Sequence, residues 1–224
     1  MKEKAVIILS GGIDSSTLCY KFAAENFDIY SLTIIYGQRH SREIDSAKLI
    51  AGKLGISHKI VDLSQLKQLL SGSALTDPGV EVPRVPEKTE YFETLKSTIV
   101  PNRNAIFLSV AIGYAQSIGA NKIFFGAHHS DRGVYPDCRK EFVEAFEIAE
   151  RLANDNQDLR IEAPFVEMDK SEVVGLGSSL NVPFESTWTC YVGGELHCGA
   201  CSACNERKRA FTESGIKDPT EYKN

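Results

Sequence analysis

Apolar residues recur along this chain in two alternating rhythms. Ala5-Val6-Ile7-Ile8-Leu9 is an unbroken apolar run of the kind that fills a buried parallel strand. Thr17 to Ala24 has helical character, and Asp28-Ile29-Tyr30-Ser31-Leu32-Thr33-Ile34-Ile35 reads as a second strand. A helix follows, with Ser41 as its cap, Ile44, Ala47, Ala51 and Leu54 on one face, and Gly55 at its close. Further strands are predicted at His58–Asp62, Lys122–Gly126 and Arg160–Phe165. Apolar helices run from Ala105 to about Gly119 and from Glu141 to about Ala153. This alternation predicts an α/β fold built on a doubly wound parallel sheet. The stretch from Ser71 to Val100 breaks the rhythm with Pro78, Pro83, Pro86 and mixed charges. It reads as a flap over a site or as a solvated insertion.

Length and composition narrow this picture. A chain of 224 residues, 42% apolar, suits one sizeable domain, or one with a small appendage. No apolar run approaches the ~18 residues of a membrane span, and the N-terminus lacks a signal-peptide pattern, so a soluble cytoplasmic protein is expected. A net charge of −5 argues against nonspecific affinity for nucleic acid. Six cysteines in such a chain point to metal or catalysis rather than disulfides.

The first candidate chemistry follows the first strand. Ser10-Gly11-Gly12-Ile13-Asp14-Ser15-Ser16 joins that strand to a helix. Two glycines let a ligand approach the backbone, new helix amides favour an anion, and three serines add hydroxyl donors. A phosphate is the natural guest; the alternative is an ordinary capped turn. The loop lacks the lysine of G-x-x-x-x-G-K-[ST] and the spacing of G-x-G-x-x-G, and instead resembles the pyrophosphate loop of the ATP pyrophosphatases.

Other groups gather where further strands end. In an open parallel sheet, Tyr36-Gly37-Gln38-Arg39-His40 lies beside the glycine turn. Arg103, at a helix start, can reach phosphate or carboxylate in a forked geometry. Residues 127–139 form a loop dense in donors, acceptors and ionisable groups; adjacent His128 and His129 suit substrate recognition better than a metal. Asp169 and Glu172 form a capping box that leaves Lys170 free to serve a pyrophosphate. Cys190, Cys198, Cys201 and Cys204 have the spacing of a closed structural zinc site, with an iron–sulfur cluster or free thiols as alternatives. Cys19 and Cys138 stand apart from this set, and Arg207-Lys208-Arg209 reads as a solvated helix face. The expected division is an ATP-binding α/β domain over 1–185 and a zinc-binding segment over 186–224 packed on it.

With these pieces placed, the chain resembles the 7-cyano-7-deazaguanine synthases, the QueC family. The likeness is carried by Ser10–Ser16, Tyr36–His40, Tyr135-Pro136-Asp137-Cys138-Arg139, Asp169–Glu172, Thr189-Cys190-Tyr191 and Cys198–Asn205. It departs where the family often has P-G-R-N and this chain has Pro101-Asn102-Arg103-Asn104, and again over 126–133. The resemblance implies a ligase that turns 7-carboxy-7-deazaguanine and ammonia into the nitrile through an acyl-adenylate and an amide, releasing AMP and pyrophosphate. The same acid joined to another amine, such as a protein terminus, is the alternative. A tRNA thiolase of the same superfamily and a non-enzymatic ATP-sensing zinc module are weaker competitors. By this resemblance Leu9, Ser10, Gly11, Gly12, Ile13, Asp14, Ser15, Ser16, Thr17 and Tyr36 would surround ATP. Asp14, Arg39, Arg103 and Lys170 would handle charge in catalysis, with Mg²⁺ sharing that task. Gln38, Arg39, His128, Asp131, Tyr135, Asp137 and Arg139 would face the second substrate. Zn²⁺ would sit on the four cysteines, and the assembly would be a homodimer.

Overall fold

A computed structural model describes residues 2–84 and 95–223. Five strands lie parallel in the order β3-β2-β1-β4-β5. They are β1 (Lys4–Ile8), β2 (Asp28–Ile35), β3 (Ser57–Asp62), β4 (Lys122–Phe124) and β5 (Arg160–Glu162). The helices are α1 (Ile13–Ala24), α2 (Arg42–Leu54), α3 (Arg103–Ile118), α4 (Lys140–Ala153), α5 (Lys170–Ser179) and α6 (Ser202–Ser214). The doubly wound sheet read from the sequence is therefore present.

Because strand side chains alternate, β1 feeds two cores. Ala5 and Ile7 join Leu18 and Phe22 of α1, Ala47 and Ile50 of α2, Val173 of α5 and Phe211 of α6. Val6 joins Leu108 and Ile112 of α3, Val143 of α4 and Ile161 of β5 on the other face. With both faces covered, β1 is apolar without interruption, as parallel central strands are. Phe22 stacks on Phe124 at 3.7 Å, fixing α1 over β4.

Strand order reverses between β1 and β4, and their carboxyl ends open on the same side. Such a switch point is where open α/β sheets bind ligands. The Ser10–Ser16 turn lies there.

Three local expectations need correction. Ser41 holds the cap position of α2, but its hydroxyl makes no capping bond. Within the irregular segment, Ser73, Ala74, Leu75 and Thr76 are buried, and Leu75 packs with Tyr36 and Val100. That part is an anchored plug rather than a flap or a solvated insertion; positions 85–94 of the expected flap lie outside the described residues. Finally, Arg207 is fully buried rather than solvated. It donates to Asp218, Thr187, Thr189 and the Phe184 carbonyl at 2.8–3.2 Å, because a buried guanidinium needs acceptors for its donors.

Candidate active site

The turn after β1 is shaped by a glycine no other residue could replace cheaply. Gly11 has φ of +84°, and a Cβ there would lie 2.3 Å from the Glu43 carbonyl oxygen and 2.7 Å from the Ala47 nitrogen. The turn thus seats directly on the first turn of α2. Its carbonyl accepts the Trp188 N–H at 2.9 Å, tying it to the segment before the cysteines. Ser15 Oγ accepts the Ser10 N–H at 3.1 Å and lies 3.0 Å from Ser10 Oγ. Gly126, just beyond β4, approaches so closely that a Cβ would meet the Ser15 nitrogen at 3.1 Å.

Asp14, in the first turn of α1, forms a 2.5 Å ion pair with Lys170, which the capping box presents at the start of α5. Lys170 Nζ also lies 3.2 Å from His128 Nε2 and 3.7 Å from Glu206. Burial alone would raise the Asp14 carboxyl, but Lys170 and His128 outweigh it and hold it below its ordinary value. Burial likewise disfavours the Lys170 cation, yet Asp14, Glu206 and Asp131 keep it above its usual range. His128 is pushed down by burial and by Lys170. Asp14 Oδ1, on the cleft lining, is buried with no protein partner, as a group awaiting a cation would be.

A cleft of about 220 Å³ opens above these strand ends. Leu9, Ser10, Asp14 and Ser15 line one end, with Thr33 and Phe125. Tyr36, Gln38, Arg103, Tyr135 and Tyr191 line the other, with Glu43, and Asp131, which feels Lys170, Asp14 and Arg103, stands between. The cleft therefore brings together Leu9, Ser10, Asp14, Ser15, Tyr36, Gln38, Arg39, Arg103, Asp131 and Tyr135 of the residues the sequence nominated. His128, Asp137 and Arg139 lie outside its lining, as does Lys170, which meets it through Asp14. Asp137 accepts the Asn104 N–H at 2.9 Å, and Arg139 donates to the Arg132 carbonyl at 3.1 Å. Gly11, Gly12, Ile13, Ser16 and Thr17 form the turn and α1 behind the cleft wall. Arg39 borders the cleft, but its guanidinium donates to the carbonyls of Ala74 and Asp77 at 2.5 and 2.6 Å, and to Val80. It fastens the buried plug.

Arg103 stands at the start of α3. Burial opposes its charge, but Tyr36, Tyr135 and Asp137 more than restore it. Asp131 is pushed up to about 6 by burial, with Lys170 opposing. Glu43 is pushed up to about 7 by burial, with Arg103 opposing. No reading of the sequence singled out Glu43, because an acid in the first turn of a helix is already explained by the helix dipole. The departure at Asn102 has a backbone explanation: φ of 55° and ψ of 21° place it in the left-handed region, which Gly and Asn both tolerate.

The four cysteines gather in a small core of their own with Trp188 and Tyr191. Their sulfurs all lie within 4.8 Å of one another, and those of Cys198 and Cys204 are 3.9 Å apart. That is too long for a disulfide and close to the roughly 3.8 Å edge of a tetrahedron with 2.3 Å metal–sulfur bonds. The Cys198 N–H points at Cys190 Sγ and the Cys201 N–H at Cys198 Sγ, both at 3.3 Å, as thiolate ligands require. The cluster is thus built to hold a metal ion. Trp188 packs on His197 with rings 4.1 Å apart and tilted by 33°, and meets His40 edge-on at 6.0 Å, so the cluster leans on the Tyr36–His40 segment and delivers Tyr191 to the cleft.

A switch-point sheet with a Ser-Gly-Gly-x-Asp-Ser turn defines a nucleotide-using α/β enzyme of the pyrophosphate-loop class. Solved structures agree on the fold. An NMN synthetase from Francisella tularensis matches with a TM-score of 0.54 at 16% identity, over 96% of this chain and 78% of that one. A 4-thiouridine synthetase solved with RNA and bound ATP matches at 0.54 and 17% identity, over 95% and 50%. Residues 4–215 match the model of the queuosine biosynthesis protein QueC. The 7-cyano-7-deazaguanine synthase of Archaeoglobus fulgidus is 48% identical, over 99% of this chain and 92% of that one. That of Marinomonas sp. is 45% identical, over 99% of each. The chain belongs to the QueC family.

Proposed function

We propose that this protein is an ATP-dependent carbon–nitrogen ligase that converts 7-carboxy-7-deazaguanine and ammonia to 7-cyano-7-deazaguanine, releasing AMP and pyrophosphate. The observation that carries this reading is a single cleft joining the phosphate turn to Arg103 and three tyrosines. The relatives, 7-cyano-7-deazaguanine synthases by name, supply the product.

A carboxylate is a poor electrophile, and ATP would supply the remedy by making it an adenylate with pyrophosphate as leaving group. Ammonia would displace AMP to give the amide. A second ATP would adenylate the amide oxygen, whose departure as AMP with loss of the nitrogen protons would leave the nitrile. The protein's part is to hold both reactants and to stabilise charge. Ser10, Ser15 and the amides following Gly11 would hold the phosphates. Lys170, kept cationic by three acids, would offset charge on the departing pyrophosphate. Asp14 Oδ1 would hold Mg²⁺, whose charge serves the same end. Arg103 would face the substrate carboxylate. Asp131, close to neutral pH in its titration, would accept a proton from the attacking ammonia. The cysteine cluster would hold Zn²⁺ with all four ligands filled, a structural role. A homodimer belongs to this reading; exposed Ile148 and Leu152 on α4 offer it an apolar face, tested by sedimentation velocity.

Mass spectrometry after incubation with ATP, Mg²⁺, ammonium and the acid tests the proposal. Nitrile with AMP and pyrophosphate is expected. An amide without nitrile would favour another amine as acceptor, and absence of AMP would overturn the reading.

A further inference from the structure

Glu43 is not used by the mechanism above, yet it occupies the cleft. It lies in the first turn of α2, whose backbone is locked against Gly11. Its carboxylate lines the cleft beside Arg103 and accepts no hydrogen bond from any described residue. A half-buried carboxylate with no donor among the described residues costs the fold unless a ligand completes it. A divalent cation is a poor candidate, since the Arg103 guanidinium stands beside it. What surrounds Glu43 is flat and aromatic: Tyr36, Phe107, Tyr135 and Tyr191 line the same end, with Tyr36 and Phe107 edge to face at 5.3 Å. The site asks for a planar ring carrying adjacent N–H donors.

We propose that Glu43 is the specificity determinant for the heterocycle, its two oxygens accepting the ring N–H and the exocyclic amine of a 2-amino-oxopyrimidine edge. This rests on the ligase reading and sharpens it. The 7-deazaguanine ring presents that donor pair; an analogue with hydrogen in place of the amine keeps the reactive carboxylate but leaves one carboxylate oxygen unpaired. Sites built to hydrogen-bond a substrate group reject the analogue lacking it by large factors.

The test compares kcat/KM for AMP release from 7-carboxy-7-deazaguanine and from its 2-desamino analogue. Wild type should prefer the amine-bearing acid by on the order of 10³-fold or more. Glu43→Gln, which presents only one acceptor, should reduce that preference to about tenfold, mostly by slowing the amine-bearing acid, with the KM for ATP unchanged. Glu43→Ala should erase the preference in the same way. An equal loss with both acids, as a metal ligand or a purely structural residue would give, overturns the proposal, and so does an unchanged ratio. If wild type releases AMP from neither acid, the ligase reading itself fails and this inference with it.

Discussion

Replacing Lys170 by methionine would leave Asp14 buried without its cation. The pair is 2.5 Å apart, with side chains only 11% and 17% exposed, so solvent screens it little. Breaking a buried pair from one side costs about 3–5 kcal/mol, and we take roughly 3 for a pair with some solvent contact. For a chain of this size that corresponds to a fall of about 6–12 °C in the melting temperature. The pH dependence identifies the cause. In the wild type, the Asp14 carboxyl is held below 3.8 in the folded state, so its contribution is full above that value and lost as pH falls through the folded pKa. In the variant the largest opposition to burial is gone and only His128 and a backbone hydrogen bond still favour the charged form, so the folded pKa rises above its wild-type value and the carboxylate stabilises the fold less as pH rises. The gap between the two proteins should therefore widen from pH 4 to 7. Thermal melts across that range, with Asp14→Asn and the double variant, complete the cycle, and a coupling of about 2 kcal/mol is expected. A loss that is independent of pH, or single losses that simply add, would refute the reasoning.

Gly11→Ala should disrupt the phosphate turn and lower AMP release by about 100-fold or more, since its Cβ would collide with the backbone of α2; near-normal release would contradict the packing described. Glu43→Gln should gain stability on the order of 2 kcal/mol at pH 8, because a carboxyl raised from 4.5 to about 7 costs the fold progressively as pH rises between those values. The gain should vanish below pH 4.5 in melts. Chelation should remove one metal per chain and lower the melting temperature, and Cys198→Ser should reduce metal content measured by elemental analysis. Arg207→Met should cost about 3 kcal/mol, since it strands four acceptors around a fully buried position.

Much of the architecture could be read from residue order alone. The run 28–35 coincides with β2, and Gly55 does close its helix in the left-handed region, because continuous apolar runs and αL glycines have few other uses. The capping box at Asp169 and the four-cysteine cluster were likewise legible, since both depend on short spacings. What escaped were residues whose meaning depends on distant neighbours. Arg207 sits in a charged triplet that looks solvated until Asp218 and the 184–189 segment wrap around it. Arg39 looks like a substrate contact until the carbonyls of Ala74, Asp77 and Val80 fold back upon it. Glu43 looks like a dipole partner until Gly11 draws its helix to the cleft.

The hydrogen bond from Trp188 to Gly11 has a consequence in time. During synthesis the phosphate turn emerges among the first residues, but its clasp and the helix bearing Phe211, which shares a core with α1, emerge near the end. At roughly 5–20 residues per second, the turn waits on the order of ten seconds or more for the parts that hold its shape. A chain cut short by interrupted translation before Trp188 therefore carries the Ser10–Ser16 turn without the bond that clasps it.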